Sequence, residues 1–121
     1  LRGANLTDAN LRSVRDDLWA VLSGAPAEVP GLLAALKAGR VNGSSYEGEC
    51  ACLVGTLANV RGCRYNQLAS VVPNSGRPAE VWFMHISEGA TPETNQAAKL
   101  AAEWIEEWLA RMRAAFGQTV A

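Results

Sequence analysis

Leucine recurs at every fifth residue at the start of the chain, as Leu1, Leu6 and Leu11. A smaller apolar residue, Ala4 or Ala9, stands two positions before each of the last two leucines. A helix repeats every ~3.6 residues and a strand every ~2, so neither element explains a period of five. The spacing therefore predicts a repeating structure of another kind at the N-terminus.

Residues 4–13 read ANLTD and then ANLRS. These two units resemble the pentapeptide-repeat family, whose consensus is Ala, then Asp or Asn, then Leu, then two variable residues. The resemblance implies that each unit forms one side of a square, right-handed β-helix. It also implies that Leu6 and Leu11 stack inside this helix and that Ala4 and Ala9 fill its corners.

The stacking position that follows Leu11 is occupied by Asp16. A carboxylate in a dry stack of leucines costs on the order of several kcal/mol, so we expect the array to end there. Residues 1–15 are therefore predicted to be the end of a pentapeptide-repeat β-helix, and residues 16–121 a helical domain. Because the chain opens with Leu1 and not with methionine, we also expect it to be a piece of a longer product or a trimmed one.

Beyond Asp16, apolar residues spaced by three and four predict helices. Serine or threonine residues with a proline or an acid nearby indicate where these helices start, and glycines indicate where they stop. The expected segments run from Ser13 to Gly24, from Pro26 to Ala38, from Ser44 or Ser45 to Arg61, and from Pro92 to Phe116.

Periodicity alone does not decide between helix and strand for the apolar run 79–87. A strand needs a partner, and the nearest β-like run, 68–72, is short and is followed by Pro73. We therefore favour a helix with Pro78 in its first turn. The predicted fold class is mainly α, a small domain of four to five helices with a short N-terminal pentapeptide-repeat stub.

Trp82, Trp104 and Trp108 are the tryptophans of the last two apolar segments. One interpretation is that they face a partner, since tryptophan is enriched at binding hot spots. The other is that they fill the core. We favour the core because Leu100 and Ile105 belong to the same helical stripe as Trp104 and Trp108.

Cys50, Cys52 and Cys63 are odd in number, which argues against a disulfide scaffold and for a reducing compartment. On a helix, Cys50 and Cys52 would point to opposite sides, and their spacing departs from that of structural zinc sites. We therefore expect no metal or cofactor and a packing role for the thiols. The alternative is a small cysteine-dependent enzyme or zinc-binding domain that uses Cys50, Cys63 and His85.

The composition excludes some classes of function. The chain has 121 residues and a formal net charge of −1, without the clustered lysine and arginine that nucleic-acid binding requires. No apolar run reaches the ~18 residues of a membrane span, so we expect a cytoplasmic protein. A glycine-rich phosphate loop and a G-x-S-x-G elbow are also missing from the sequence.

A non-catalytic protein-interaction or assembly module is the function that these observations favour. Its helical domain would cap the pentapeptide-repeat solenoid and bind a protein partner or a second copy of the chain. The helical part resembles, only loosely, uncharacterised domains that follow such repeats in bacterial and phage products. Family members that mimic DNA are long and acidic, and this chain has two repeats and little net charge.

Overall fold

The computed structural model of the chain describes residues 8–46, 48–68 and 71–116. Over these ranges the fold is mainly α, as predicted, and the β structure consists of one isolated parallel bridge between Val41 and Ala51. Single turns of 3-10 helix occur at Pro26–Glu28 and Tyr65–Gln67. The α-helices are α1 Asp8–Gly24, α2 Val29–Lys37, α3 Leu53–Arg61, α4 Pro78–Phe83 and α5 Gln96–Phe116.

The N-terminal segment differs from the prediction, because α1 begins at Asp8. Residues 8–15 are therefore helix, and the structure lends no support to a β-helix stub that extends to residue 15. The physical reason is a second periodicity in the same residues. Leu11 and Val14 stand three apart, in line with Leu18 further along α1, and both pack half-buried against the core.

The residues predicted to form and to end the leucine stack do not form a stack in the described structure. Ala4 and Leu6 lie outside the described residues, and Ala9 belongs to the first turn of α1. Asp16, expected to terminate a leucine stack, is exposed on α1, where its carboxylate lies 3.0 Å from the guanidinium of Arg15. An exposed carboxylate carries no burial cost, so Asp16 does not terminate anything in the described fold.

The third helix begins at Leu53, more than two turns after the predicted start at Ser44 or Ser45. The preceding loop uses its backbone groups elsewhere. The N–H of Asn42 donates to the carbonyl of Ala51 at 2.9 Å, and the N–H of Cys52 donates to the carbonyl of Ser45 at 2.6 Å. The predicted end of this helix before Gly62 is confirmed, since Gly62 adopts a φ of 86°.

The last helix also starts later than predicted, at Gln96 in place of Pro92. The side chain of Asn95 caps it by accepting the N–H of Ala98 at 2.9 Å. Thr91, the predicted N-cap, opens a separate turn in which its N–H donates to the hydroxyl of Thr94 at 3.0 Å. For the run 79–87, the favoured helix is confirmed as α4, although it ends at Phe83.

A sharp corner at Ala25 joins α1 to α2, and Ala25 is fully buried. Glu28 is also buried there, and its carboxylate lies 2.9 Å from the guanidinium of Arg61, which ties the corner to α3. In the described part of the chain, no single helix is long and apolar enough to cross a membrane. Taken together, the helical segments Leu11–Gly24 and Pro26–Lys37 are long and apolar enough, but they are bent by 102° relative to each other.

One core joins the helices, with α1 packed on α4 and α5, and α2 packed on α3 and α5. Trp82, Trp104 and Trp108 belong to it, with exposures of 5%, 9% and 5%. The indole of Trp82 donates to the carbonyl of Ala97 at 3.0 Å and lies 5.2 Å from the ring of Trp104. The burial of these tryptophans supports the core interpretation over the partner-facing one.

Candidate functional site

A cleft of about 360 Å³ opens between α4 and the loop that precedes α3. Its volume falls within the range of sites that hold a small molecule or a side chain. An exposed apolar side chain, Met84, stands among the residues that line it. The other lining side chains with polar or ionisable atoms are Ser44, Ser45, Tyr46, Cys52, Ser75 and Glu80.

Glu80 is the buried acid of this cleft, with an exposure of 2%. It occupies the first turn of α4, and both of its carboxylate oxygens accept a hydrogen bond. The hydroxyl of Tyr46 donates to Oε1 at 2.6 Å, and the backbone N–H of Asn74 donates to Oε2 at 2.7 Å. A buried carboxylate needs such donors, and here they also fix its orientation at the cleft wall.

Tyr46 connects the loop to a second aromatic ring. Its ring stacks on that of Tyr65, with the centroids 4.8 Å apart and the planes at 18°. Burial first, and then the neighbouring Glu80, raise the pKa of Tyr46 well above the ordinary value of 10.0. The phenol therefore remains a proton donor to Glu80 at neutral pH and does not act as a base.

Two glycines, Gly43 and Gly55, allow the loop before α3 to lie close against α4 and α3. The N–H of Gly43 donates to the carbonyl of Ile86 at 2.9 Å, and a Cβ at Gly43 would collide with the carbonyl oxygen of Phe83. A Cβ at Gly55 on α3 would likewise collide with the carbonyl oxygen of Tyr46. The close approach at both positions brings the serine hydroxyls of the loop next to α4.

The other side of α4 is anchored by α1. The guanidinium of Arg77 donates to the carboxylate of Asp17 through Nη2 at 2.8 Å and through Nε at 3.0 Å. Asp17 also accepts the N–H of Ala79 at 2.9 Å, within the first turn of α4. The hydrogen bonds from Arg77 are the main cause of a lowered pKa for Asp17. This anchor fixes the helix that carries Glu80.

The sequence-predicted cysteine and histidine residues do not form one site. Cys52 lines the cleft, but it is 4% exposed, and burial above all raises the pKa of its thiol. Burial and then Glu88 raise the pKa of Cys50, which lines a separate groove. Cys63 packs half-buried against the core, and His85 is exposed. Within the described residues no His, Cys, Asp and Glu side chains form a metal-binding group.

Tyr46 and Glu80 were not singled out by the sequence. Glu80 had a visible signal, because it is the one acid inside the apolar run from Ala79 to Ile86. An acid at a core-facing position of a short helix needs hydrogen-bond donors from another segment. Tyr46 had no comparable signal, since it stands 34 residues away and reaches Glu80 only through the fold.

Comparison with known proteins supplies no template for this cleft. No protein-family model matches the chain, and no curated protein or solved structure matches it either. The cleft is therefore interpreted from the chemistry of its own residues.

Proposed function

We propose that this chain is a non-catalytic interaction module that recognises a protein partner through the cleft beside α4. The observation that supports this proposal is the buried carboxylate of Glu80 in the cleft wall, held by Tyr46 and Asn74. A polar group fixed in a concave, partly apolar site is typical of recognition. Met84, 45% exposed, adds the apolar contact that an interaction surface needs.

Acid-base properties favour binding over catalysis. A nucleophilic cysteine needs a lowered thiol pKa, and the pKa of Cys52 is raised by burial. A tyrosine base would need a lowered pKa as well, and that of Tyr46 is raised. These two groups are therefore suited to packing and hydrogen bonding at neutral pH.

The proposal keeps the interaction role predicted from the sequence but moves its location. The contact surface is the cleft, since Trp82, Trp104 and Trp108 are buried. A role as the cap of a pentapeptide-repeat solenoid does not contribute to the proposal, because residues 8–15 are helical. Self-association through the cleft would be one form of the same recognition.

A displayed library of short peptides tests the proposal. The affinity of peptides enriched on the wild-type domain is then measured for two variants. Ser75→Trp fills the cleft, and Ser87→Trp places the same bulk on an exposed turn elsewhere. We expect binding to Ser87→Trp with unchanged affinity and a loss of about tenfold or more for Ser75→Trp. Equal binding to both variants, or no enrichment at all, contradicts the proposal.

Thiol alkylation separates binding from cysteine catalysis. With iodoacetamide at neutral pH, followed by mass spectrometry, we expect Cys63 to be modified well before Cys52, because Cys52 is buried and has a raised thiol pKa. Modification of Cys52 ahead of the other thiols would instead indicate an activated nucleophile in the cleft. That result would favour the cysteine-dependent enzyme.

A further inference from the structure

Glu80 has no direct ion-pair partner among the described residues. Both of its hydrogen-bond donors, the Tyr46 hydroxyl and the Asn74 N–H, are neutral. A buried charge without a direct ion pair is costly, and a ligand that supplies one reduces that cost.

The nearest arginine along the chain, Arg77, acts on Glu80 only as a nearby charge: Asp17 is the main cause of the raised pKa of Arg77, and Glu80 is a lesser one. Arg77 stands three residues before Glu80, but its guanidinium is engaged by Asp17 through contacts of 2.8 and 3.0 Å. Arg77 and Asp17 together carry no net charge. With Glu80 added, the three side chains carry a net charge of −1 next to the cleft.

The remaining hydrogen-bonding capacity of Glu80 selects the kind of cation. A carboxylate offers about four lone-pair sites, and one on each oxygen of Glu80 is already used. A planar guanidinium fork needs both oxygens together and would have to displace Tyr46 or Asn74. An ammonium group needs only one free lone pair and can direct its other donors to the hydroxyls of Ser44 or Ser75.

The rest of the cleft suits an alkyl chain that carries such a group. The thioether of Met84 and the thiol of Cys52 line it. Both are apolar, polarisable groups that pack well against methylenes. A lysine side chain combines a flexible stem of four methylenes with a compact charge, which matches this arrangement.

We infer that the cleft binds a primary ammonium group on an alkyl chain, and that its occupant is a lysine side chain of a protein partner. This inference rests on the proposed function and names the partner's contacting group. A free alkylamine presents the same chemistry, and the test separates the two sources.

Backbone amide NMR of the wild-type domain provides the test. The probes are Nα-acetyl-lysine N-methylamide, its norleucine counterpart without the ammonium group, its arginine counterpart, and n-butylamine. We expect saturable shifts at Asn74 and Ser75 with the lysine probe, at a Kd on the order of 1 mM for so small a ligand. We expect about tenfold weaker binding for norleucine and arginine. Tighter binding of n-butylamine than of the lysine probe would overturn the assignment to a lysine side chain.

Three variants provide the matched controls. Glu80→Gln should weaken binding of the lysine probe about tenfold. Glu93 is an exposed acid before α5, and Glu93→Gln should leave the Kd of the probe unchanged. Because Glu80→Gln can also disturb folding, Ser75→Lys offers an independent test, since its tethered ammonium should compete with the probe. Unchanged binding to Ser75→Lys, or to a folded Glu80→Gln, overturns the inference.

The two proposals fail in different ways. Equal affinity for the lysine and norleucine probes, while selected peptides still bind in the cleft, overturns the ammonium assignment and leaves the interaction module standing. Absence of saturable shifts with every probe, together with no selected peptide, overturns both.

Discussion

Asp17 on α1 accepts hydrogen bonds from the guanidinium of Arg77 across 60 residues of sequence, the two shortest at 2.8 and 3.0 Å. The same carboxylate accepts the N–H of Ala79, so one side chain pairs with a cation and satisfies the backbone of α4. Because α4 carries Glu80, Asp17 helps to set the position of the cleft wall.

Replacing Asp17 with asparagine is expected to lower the free energy of unfolding by about 1–3 kcal/mol, because charge-assisted hydrogen bonds to Arg77 are lost at a partly buried site. Urea unfolding measures this loss. The matched control is Asp16→Asn, whose carboxylate is 63% exposed and pairs only with Arg15, and we expect a change below about 0.5 kcal/mol. A similar effect of both variants would contradict the anchoring role.

Acid should weaken the fold in part through Asp17. Its pKa is lowered in the folded state from an ordinary value of 3.8, chiefly by the hydrogen bonds from Arg77. The stabilisation is therefore fully present above that value and is lost as the pH falls through 3.8 toward the folded pKa. Urea midpoints measured from neutral pH to about pH 3 should fall more steeply for the wild type than for Asp17→Asn. Parallel pH profiles would exclude this source of acid sensitivity.

Gly43→Ala should destabilise the loop that forms the cleft. The new Cβ would meet backbone, at the Phe83 carbonyl and 2.5 Å from the Cα of Met84, so the loop must move away from α4. We expect a loss of about 2 kcal/mol or more in unfolding free energy. Gly76→Ala is the control, since its Cβ would lie 3.4 Å from the Asn74 side chain, an ordinary contact, and should change stability by less than about 1 kcal/mol.

Two substitutions at Ser13 distinguish a helix that begins at Asp8 from one that begins at Ser13. Inside α1, Ser13→Ala should be neutral or slightly stabilising, and Ser13→Pro should cost about 3 kcal/mol. If Ser13 were an N-cap, alanine would cost about 1 kcal/mol. Thermal and urea unfolding of both variants measure the difference, and a destabilising alanine with the proline tolerated would restore the shorter helix.

Apolar spacing predicted the helices better than it predicted their starts. The ends at Gly24 and before Gly62 followed from glycine, whose φ of 86° at Gly62 is costly for other residues. Ser44 and Thr91 have the spacing of N-caps, but both stand in turns. Helix α3 begins only at Leu53, and the residue that caps α5 is Asn95. A local motif shows that a cap is possible, whereas long-range backbone hydrogen bonds decide which one forms.

The N-terminus shows how two periodicities compete in one segment. Leu6 and Leu11 stand five apart, which favours a repeat, while Leu11 and Val14 continue the helical stripe of Leu18. Around Leu11 the helical pattern prevails because a core is present to receive it. The cleft could not be predicted in the same way, since Tyr46 and Glu80 meet only after the chain has folded.

The contact between Asp17 on α1 and the start of α4 limits how the domain can be shortened or its cleft moved to another protein. The parts that shape the cleft come from α1, the loop before α3, and α4, which lie far apart in sequence. A peptide copied from α4 alone would lack the acid that holds its first turn and the phenol that orients its carboxylate. The cleft therefore depends on all three segments, and moving it to another protein would require the whole domain.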